Sequence, residues 1–348
     1  MPGLRRDEVV PRLDRLQQRW AVVGFPYAVL RKYLDDEGPR LAALMTYYWF
    51  LSLFPLLLLA VATVSETLRS RPELREKLLD ELVVPALRPD VDAALAQMPS
   101  SGVPLVAGAI GLLYAGSGGV VAVYTAFNQI WLVPWRDRYG MGRRYRGVYL
   151  MILLGFVGAM TVAGASIATD AAFHSDTLTG VVGAVVTAGA AFGILVSAHK
   201  LLVCRHLGLR QVWLGSALGA VLVSVLLTLA TTLIPLWVAN SGLIYGSFAT
   251  VVGVFTLLYF VSQVVVVSAE VSAVLDIGLT PRSLVLSAGT AADVRALVLL
   301  ARQQERIPDQ RVIAVFGPAP ARSSVRDEAT PASSAGTERA APVPRSGP

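Results

Sequence analysis

The stretch FATVVGVFTLLYFVSQVVVVSAEVSAVL, residues 248–275, decides the fold class of this chain. A helix of about 20 apolar residues can cross a hydrocarbon core roughly 30 Å thick, because it satisfies its backbone hydrogen bonds internally. This stretch is long and apolar enough to do so, but it also contains a carboxylate, Glu270. It therefore predicts a membrane-spanning helix with one charge that needs an explanation.

Five similar segments precede this one, and none of them contains a carboxylate. They lie at residues 41–65, 103–131, 148–169, 180–203 and 213–238. Only 16% of the residues are charged, whereas a soluble chain usually has about 25%. We therefore predict an all-α polytopic membrane protein with six transmembrane helices. The first segment begins at residue 41 without a small-residue cleavage site, which favours a true span over a signal peptide.

The basic residues predict the orientation of the chain. They cluster before the first span, in the second and fourth connections and in the tail, whereas the short third and fifth connections contain none. The positive-inside rule then places both termini in the cytoplasm. The first connection, residues 66–102, mixes both charges and must lie outside. There we predict a helix after Pro72 and another over 90–98, which form either a small extracytoplasmic cap or a solvated loop.

Changes of composition divide the chain into four regions. Thr290 and Asp293 have the spacing of a capping box before an apolar run at 294–300, which predicts a helix there. After Gly317 the chain is rich in Pro, Ala, Ser and Arg, which predicts disorder. The predicted regions are a cytoplasmic amphipathic segment at the bilayer surface (1–40), a six-helix transmembrane domain (41–276), a cytoplasmic helical tail (277–316) and a disordered tail (317–348).

Small residues recur at helical spacing in three of the spans. One face of the second span carries Gly108, Gly111, Ala115, Gly118 and Ala122. GxxxG pairs occur in the fourth span at Gly189 and Gly193, followed by Ser197, and in the fifth span at Gly215 and Gly219. Because small residues let helix backbones approach closely, we predict packing within the chain; a homodimer through one of these faces is the open alternative.

The polar residues of the sixth span share one face. Gln263, Tyr259 and Thr256 fall within about 40° of Glu270 around the helix axis. One interpretation is a polar groove in which Glu270 meets a cation, a proton or a headgroup amine. The alternatives are a structural hydrogen bond and a position at the membrane interface, because Asp276 lies only about 9 Å farther along the helix.

Two prolines interrupt spans near polar residues. Pro55 in the first span lies on the same face as Tyr48 and Ser52, and a kink there either lines a cavity or only packs. Pro235, near the outer end of the fifth span, precedes the segment 240–247. We interpret that segment as an exposed turn, with a re-entrant turn as the alternative.

Motifs for soluble-type chemistry are missing from the sequence. The chain has no P-loop, no nucleophile elbow and no dinucleotide fingerprint, so we predict neither an enzyme nor a cofactor. His199, Cys204 and His206 lie near one span end, where a chance cluster is favoured over a metal site. The net charge of +6 is explained by topology and by attraction to anionic headgroups. Membrane lipids are therefore the predicted partners, and nucleic acid is not.

Four short motifs occur in a fixed order within about residues 41–276. They are Tyr47-Tyr48 with Ser52-Leu53-Phe54-Pro55, Asn128-Gln129-Ile130-Trp131, Tyr245-Gly246-Ser247 and Ala269-Glu270. In order, spacing and six-span setting they resemble the BrkB/YihY family of bacterial inner-membrane proteins. That family usually has Gly before the Ala-Glu pair and Asn after it, where this chain has Ser268 and Ser272. The resemblance implies a multi-pass protein of the bacterial cytoplasmic (inner) membrane, linked in some members to envelope lipids or serum resistance.

Three functions follow in order of preference. The first is translocation of a lipid or small solute through a polar groove near Glu270, and the second is a non-transporting scaffold for envelope assembly. The third is the ribonuclease activity with which some family members have been labelled; the chain has no carboxylate or histidine cluster to support it. A groove would be hydrated, and a Glu270 sealed beside an arginine would exclude it. The predicted groove residues are Tyr48, Ser52, Pro55, Asn128, Tyr245, Gly246, Ser247, Tyr259, Gln263 and Glu270.

Overall fold

The computed structural model describes residues 14, 17, 21–70, 103–172, 176–240, 242–284 and 289–316. Within these ranges the chain forms eight α-helices and no β-strand. The helices are α1 (Ala21–Asp35), α2 (Gly38–Ser70), α3 (Val103–Ile130), α4 (Met141–Ala172), α5 (Asp176–Leu202), α6 (Leu209–Asn240), α7 (Gly242–Ile277) and α8 (Ala291–Gln303). The predicted helices after Pro72 and over 90–98, and the predicted disordered tail, lie outside the described residues.

Helices α2 to α7 are each long and apolar enough to cross a membrane, judged by length and composition. The six candidate spans are Gly38–Leu59, Val106–Ile130, Met141–Ala165, Gly180–Leu202, Leu209–Ala230 and Val251–Ile277. Each span overlaps one of the segments predicted from the sequence. The prediction of an all-α fold with six spans is therefore confirmed, while the orientation of the termini remains a prediction from the basic residues.

The helices pack as neighbours in the order α3, α2, α7, α6, α5 and α4, and α1 lies against α7 and α2. The buried core lies at one end of this bundle, which we call the α1 end. There the first turns of α2 and α6 meet the last turns of α3, α5 and α7, around the buried side chains of Phe127, Trp131 and Leu202. Antiparallel succession of the spans brings these turns together at one end.

Glycines allow two of the closest helix contacts. A Cβ atom on Gly118 of α3 would lie 2.5 Å from the Tyr48 ring of α2, and one on Gly215 of α6 would lie 2.2 Å from the Ser268 carbonyl oxygen of α7. Internal packing is therefore confirmed for these two faces. By contrast, no described atom lies within 4 Å of a Cβ placed on Gly189 or Gly193 of α5. A homodimer through the α5 face remains a prediction.

Substitution of Gly215 by alanine is expected to lower the free energy of unfolding by about 1–3 kcal/mol, because the added methyl group collides with the α7 backbone. The matched control is Gly189→Ala, where space is open and the better helix propensity of alanine stabilises by up to about 1 kcal/mol. Unfolding in mixed detergent micelles measures both changes. Equal effects of the two substitutions would contradict the tight α6–α7 contact.

One local prediction was wrong. Residues 245–247 belong to helix α7, which begins at Gly242, so they form neither an exposed nor a re-entrant turn. Within the segment predicted to lie at the bilayer surface, residues 21–35 form α1, and one face of α1 packs against α7. Its opposite face does expose Leu30 and Leu34, as a helix at a bilayer interface would.

The predicted capping box at the start of α8 is confirmed. The Thr290 hydroxyl accepts from the Asp293 amide, and the Asp293 carboxylate accepts from the Thr290 amide. Asp293 also receives a 2.6 Å contact from Arg282, whose guanidinium lies 2.7 Å from Asp35 at the end of α1. Arg282 thereby fixes the last turn of α1 to the segment that follows α7.

Candidate functional site

Three charged side chains are buried together at the α1 end, and we call them the charge cluster: Lys32, Asp36 and Glu270. Glu270 is 0% exposed, and Lys32 and Asp36 are 3% and 1% exposed. The Lys32 ammonium donates to Asp36 Oδ2, to Glu270 Oε2 at 2.9 Å and to the Ile130 carbonyl oxygen at 2.7 Å. Glu270 is therefore sealed within the protein and is not exposed to a groove.

Local structure explains how these groups meet. Lys32 and Asp36 are four residues apart at the end of α1, a spacing that places both side chains on one face of a helical turn. Glu37, with a φ of 56°, follows and turns the chain into α2. The Gln129 side-chain amide of α3 donates to the Asp36 carbonyl oxygen at 2.8 Å. The connection between α1 and α2 is thus held against the ends of α3 and α7.

Burial and charge act in opposite directions on the cluster. Burial alone would lower the pKa of Lys32, but the Glu270 and Asp36 carboxylates outweigh burial and keep that pKa above its usual value. Burial raises the pKa of Asp36 above its ordinary value, against the opposing effect of the Lys32 ammonium. The lysine therefore stays charged, and the carboxyl side of the cluster is the one that can take up or release a proton.

The polar face of α7 continues from the cluster along the helix. Gln263 accepts a hydrogen bond from the Tyr33 hydroxyl of α1. Burial raises the pKa of the Tyr33 hydroxyl, and the nearby Tyr259 and Glu270 side chains raise it further. Tyr33, Tyr259 and Gln263 are only half-buried. Helix α1 therefore covers the predicted α7 stripe at Gln263 and Glu270.

Two of the predicted α2 residues lie on the seam between α2 and α3. Tyr48 packs on Gly118, and Pro55 lies against Gly111, where an added Cβ would be 3.0 Å from the proline ring. The Ser52 hydroxyl donates to the carbonyl oxygen of Trp49 at 2.7 Å within its own helix. Tyr48 and Pro55 therefore pack α2 against α3, and Ser52 bonds within α2.

Asn128 connects α3 to the end of α5. Its side-chain amide donates to the carbonyl oxygens of Tyr124 and Leu202, both at 2.8 Å, and its side-chain oxygen accepts from the Cys204 amide at 2.8 Å. Asn128 is 0% exposed. All these partners are backbone groups, so the contacts of Asn128 in the structure are those of a residue that holds two helix ends together. For Tyr245, Gly246 and Ser247 the structure describes the helical backbone alone, and their place in a groove remains a prediction.

Lys32 and Asp36 are the site residues that the sequence did not reveal. Lys32 is one of many basic residues before the first span, and it was interpreted as a topology signal. Its partner Glu270 is 238 positions away. One local pattern could have identified the pair: a lysine and an aspartate stand four residues apart beside an apolar span. Such a pair forms a strong charge-assisted hydrogen bond when it is buried.

A separate cavity of about 310 Å³ lies at the same end of the bundle. It is lined by Trp131, Leu132, Val133, Pro134, Asp137, Cys204, Arg205, Ile277 and Leu299. Its lining does not include the charge cluster. Within the described residues no group of three His, Cys, Asp or Glu side chains could hold a metal ion.

The fold and the site define a class: a multi-pass helical membrane protein with a charge cluster buried at one end of six spans. The chain belongs to the BrkB family, because the family model described as Virulence factor BrkB matches residues 29–284. The matched region contains all three residues of the charge cluster and ends before α8. Comparisons with curated proteins and with solved structures gave no significant match.

Proposed function

We propose that this protein translocates a lipid or a small solute across the bacterial cytoplasmic membrane, and that the charge cluster closes the cytoplasmic end of the route. In this proposal the α1 end faces the cytoplasm, as the basic residues predict. Because Glu270 is sealed by Lys32, the open groove expected from the sequence is replaced by a gated one. Opening requires α1, which carries Lys32, to move away from α7.

The observation that carries this proposal is complete burial of three charges at a helix junction. Taking a charge out of water costs several kcal/mol, and well-packed apolar side chains can often replace a buried ion pair without loss of stability. Intramembrane ionisable residues more often serve transport or switching than packing. A contact that only joined α1 to α7 would not need two carboxylates and a lysine.

A scaffold is the second candidate. A scaffold needs no hydrated groove and would bury its polar side chains against their neighbours. The burial of Glu270 and Asn128 favours this function. A scaffold keeps the charge cluster closed permanently, whereas a translocator opens it. Movement of substrate therefore distinguishes the two functions.

Purified protein in liposomes that contain fluorescent phospholipid is expected to expose that lipid to an external quencher. Glu270→Gln leaves Lys32 paired with Asp36 alone, a neutral pair without the surplus negative charge that favours opening. The rate of exposure is therefore expected to fall at least about tenfold, equivalent to about 1.4 kcal/mol. The matched control is Glu37→Gln, because Glu37 is 59% exposed and pairs with the exposed Arg40. It should leave the rate unchanged.

Two outcomes would contradict the proposal. Exposure no faster than in empty liposomes would exclude bulk phospholipid, and a parallel efflux assay with trapped small solutes would then decide between a solute translocator and the scaffold. Equal rates for the native chain and Glu270→Gln would place the route away from the charge cluster.

A further inference from the structure

The charge cluster contains more hydrogen-bond acceptors than donors. The Lys32 ammonium has three N–H groups, and its bonds to Asp36, Glu270 and Ile130 use all of them. Asp36 Oδ1 and Glu270 Oε1 remain buried without a partner among the described residues. An unpaired buried acceptor costs about 1–3 kcal/mol. The cluster therefore has two buried acceptor oxygens that lack a donor among the described residues.

The cluster also has more negative charges than positive ones, just as it has more acceptors than donors. Two ionised carboxylates and one ammonium leave a net charge of −1 in a site that water does not reach. One added proton would make the cluster neutral and would supply a donor. The carboxyl groups of Asp36 and Glu270 meet at the same Lys32 ammonium and are therefore close neighbours, an arrangement in which a protonated carboxyl of one can donate to the other.

We infer that the charge cluster binds one proton, shared between the carboxyl groups of Asp36 and Glu270, and that this proton leaves when α1 separates from α7. The reaction adds H⁺ to one carboxylate oxygen and changes no other covalent bond. The proton comes from water at the α1 end and returns to it. The inference names the ion that gates the proposed translocation and rests on that function for its consequence, although the proton itself can be detected in the resting protein.

A proton fits this site better than a metal ion does. The Lys32 ammonium already occupies the position between the two carboxylates where a cation would bind. A metal ion would have to displace the ammonium, which would then be buried without its acceptors. A proton needs no such vacancy, because it binds to an oxygen that has no partner.

The surrounding groups favour the same assignment. From α1, the neighbouring Asp35 disfavours ionisation of Asp36. Burial, with the nearby Glu270 carboxylate, raises the pKa of the Tyr33 hydroxyl of α1 above its ordinary value. From α3, the Ile130 carbonyl oxygen accepts from Lys32, and the Gln129 side chain donates to the Asp36 carbonyl oxygen.

The other charged groups near the cluster are paired outside it. At the start of α2, Arg40 is exposed and pairs with Glu37. On the α6 side, Asp276 pairs with Arg205 and accepts a hydrogen bond from Gln211.

The sign of the pH dependence follows from where the proton binds. The closed state holds the proton more tightly than an open state, in which the carboxyl groups reach water. Low pH therefore stabilises the closed state, and rising pH favours opening with release of one proton. Between the pKa of the cluster in the open state and its higher pKa in the closed state, the translocation rate is expected to rise about tenfold per pH unit.

Infrared spectroscopy of the native protein tests the proton directly. A protonated buried carboxyl group gives a C=O stretching band apart from those of carboxylates. Separate ¹³C labelling of the carboxyl groups of Asp and Glu is expected to shift this band without any substitution. Asp36→Asn and Glu270→Gln should each abolish it, whereas Glu305→Gln should not, because Glu305 is a buried carboxylate paired with Arg136 at 3.0 Å elsewhere.

The two proposals can fail separately. If the native protein lacks the band, or if the labels do not shift it, the proton site is wrong whatever the transport assay shows. If the band is present and titrates with one proton but neither lipid nor solute moves, the proton site stands and the translocation proposal fails. If the band survives both Asp36→Asn and Glu270→Gln, the proton belongs to another group and the inference is overturned.

Discussion

Replacing Lys32 with methionine is expected to lower the free energy of unfolding by about 3–5 kcal/mol, because it leaves two carboxyl groups buried without their cation. Methionine fills a volume similar to that of lysine, so a cavity contributes little to the loss. Unfolding of the purified protein in mixed detergent micelles, followed by circular dichroism, measures the change. The deficit should shrink at low pH, because protonation removes the uncompensated negative charge.

The matched control for Lys32→Met is Arg40→Met. Arg40 also pairs with a carboxylate, Glu37, but the two side chains are 67% and 59% exposed. Exposed pairs contribute about 0–1 kcal/mol, so the control should be nearly neutral. The triple variant Lys32→Met, Asp36→Asn, Glu270→Gln should recover part of the lost stability. A deficit for Lys32→Met no larger than that of Arg40→Met would show that the cluster is not closed in the native protein.

The architecture was predictable because membrane spans are encoded locally. Each span needs a run of about 20 apolar residues, and such a run is visible without knowledge of any partner. The helix-breaking signals were less reliable. Gly246 and Ser247 are typical turn residues in water, yet they lie within α7, before its candidate span begins at Val251.

Only part of the site was predictable, because the contacts of the charge cluster join residues that are far apart in the sequence. Glu270 stood out because one carboxylate in an apolar run is costly, and Gln263 followed from helical spacing. Lys32 could not be distinguished from other basic residues near the first span, because its burial depends on how α1 folds back on α7. The sequence shows which charge needs a partner, but the tertiary fold selects the partner.

The small residues in the spans also show that a sequence pattern does not identify the packing partner. Their spacing predicted close helix packing, but it did not show which face is used within the chain. Gly215 contacts the α7 backbone beside Ser268, whereas the equally spaced Gly189 contacts no described atom. In this chain the close approach at the Ala-Glu motif of α7 is thus supplied by glycine on α6, opposite Ser268 and Ser272.

Substitution of Asn128 by aspartate is expected to lower the free energy of unfolding by about 3 kcal/mol or more. The native side chain donates to two carbonyl oxygens, those of Tyr124 and Leu202, and an ionised aspartate would present an acceptor to both. It would lose two hydrogen bonds and bury an unpaired charge. Unfolding in mixed detergent micelles measures the loss, which should grow as pH rises, because only a protonated carboxyl group can donate.

Gln304→Glu is the matched control for Asn128→Asp. It makes the same change from amide to acid at an exposed position that ends α8, where a surface substitution is expected to change stability by about 0.5 kcal/mol or less. Because Asn128 joins α3 to the segment after α5, Asn128→Ala, which also removes the oxygen that accepts from the Cys204 amide, should increase hydrogen exchange at that amide. Similar losses of stability for Asn128→Asp and Gln304→Glu, without faster exchange at Cys204 in Asn128→Ala, would mean that this connection does not hold the α1 end of the bundle together.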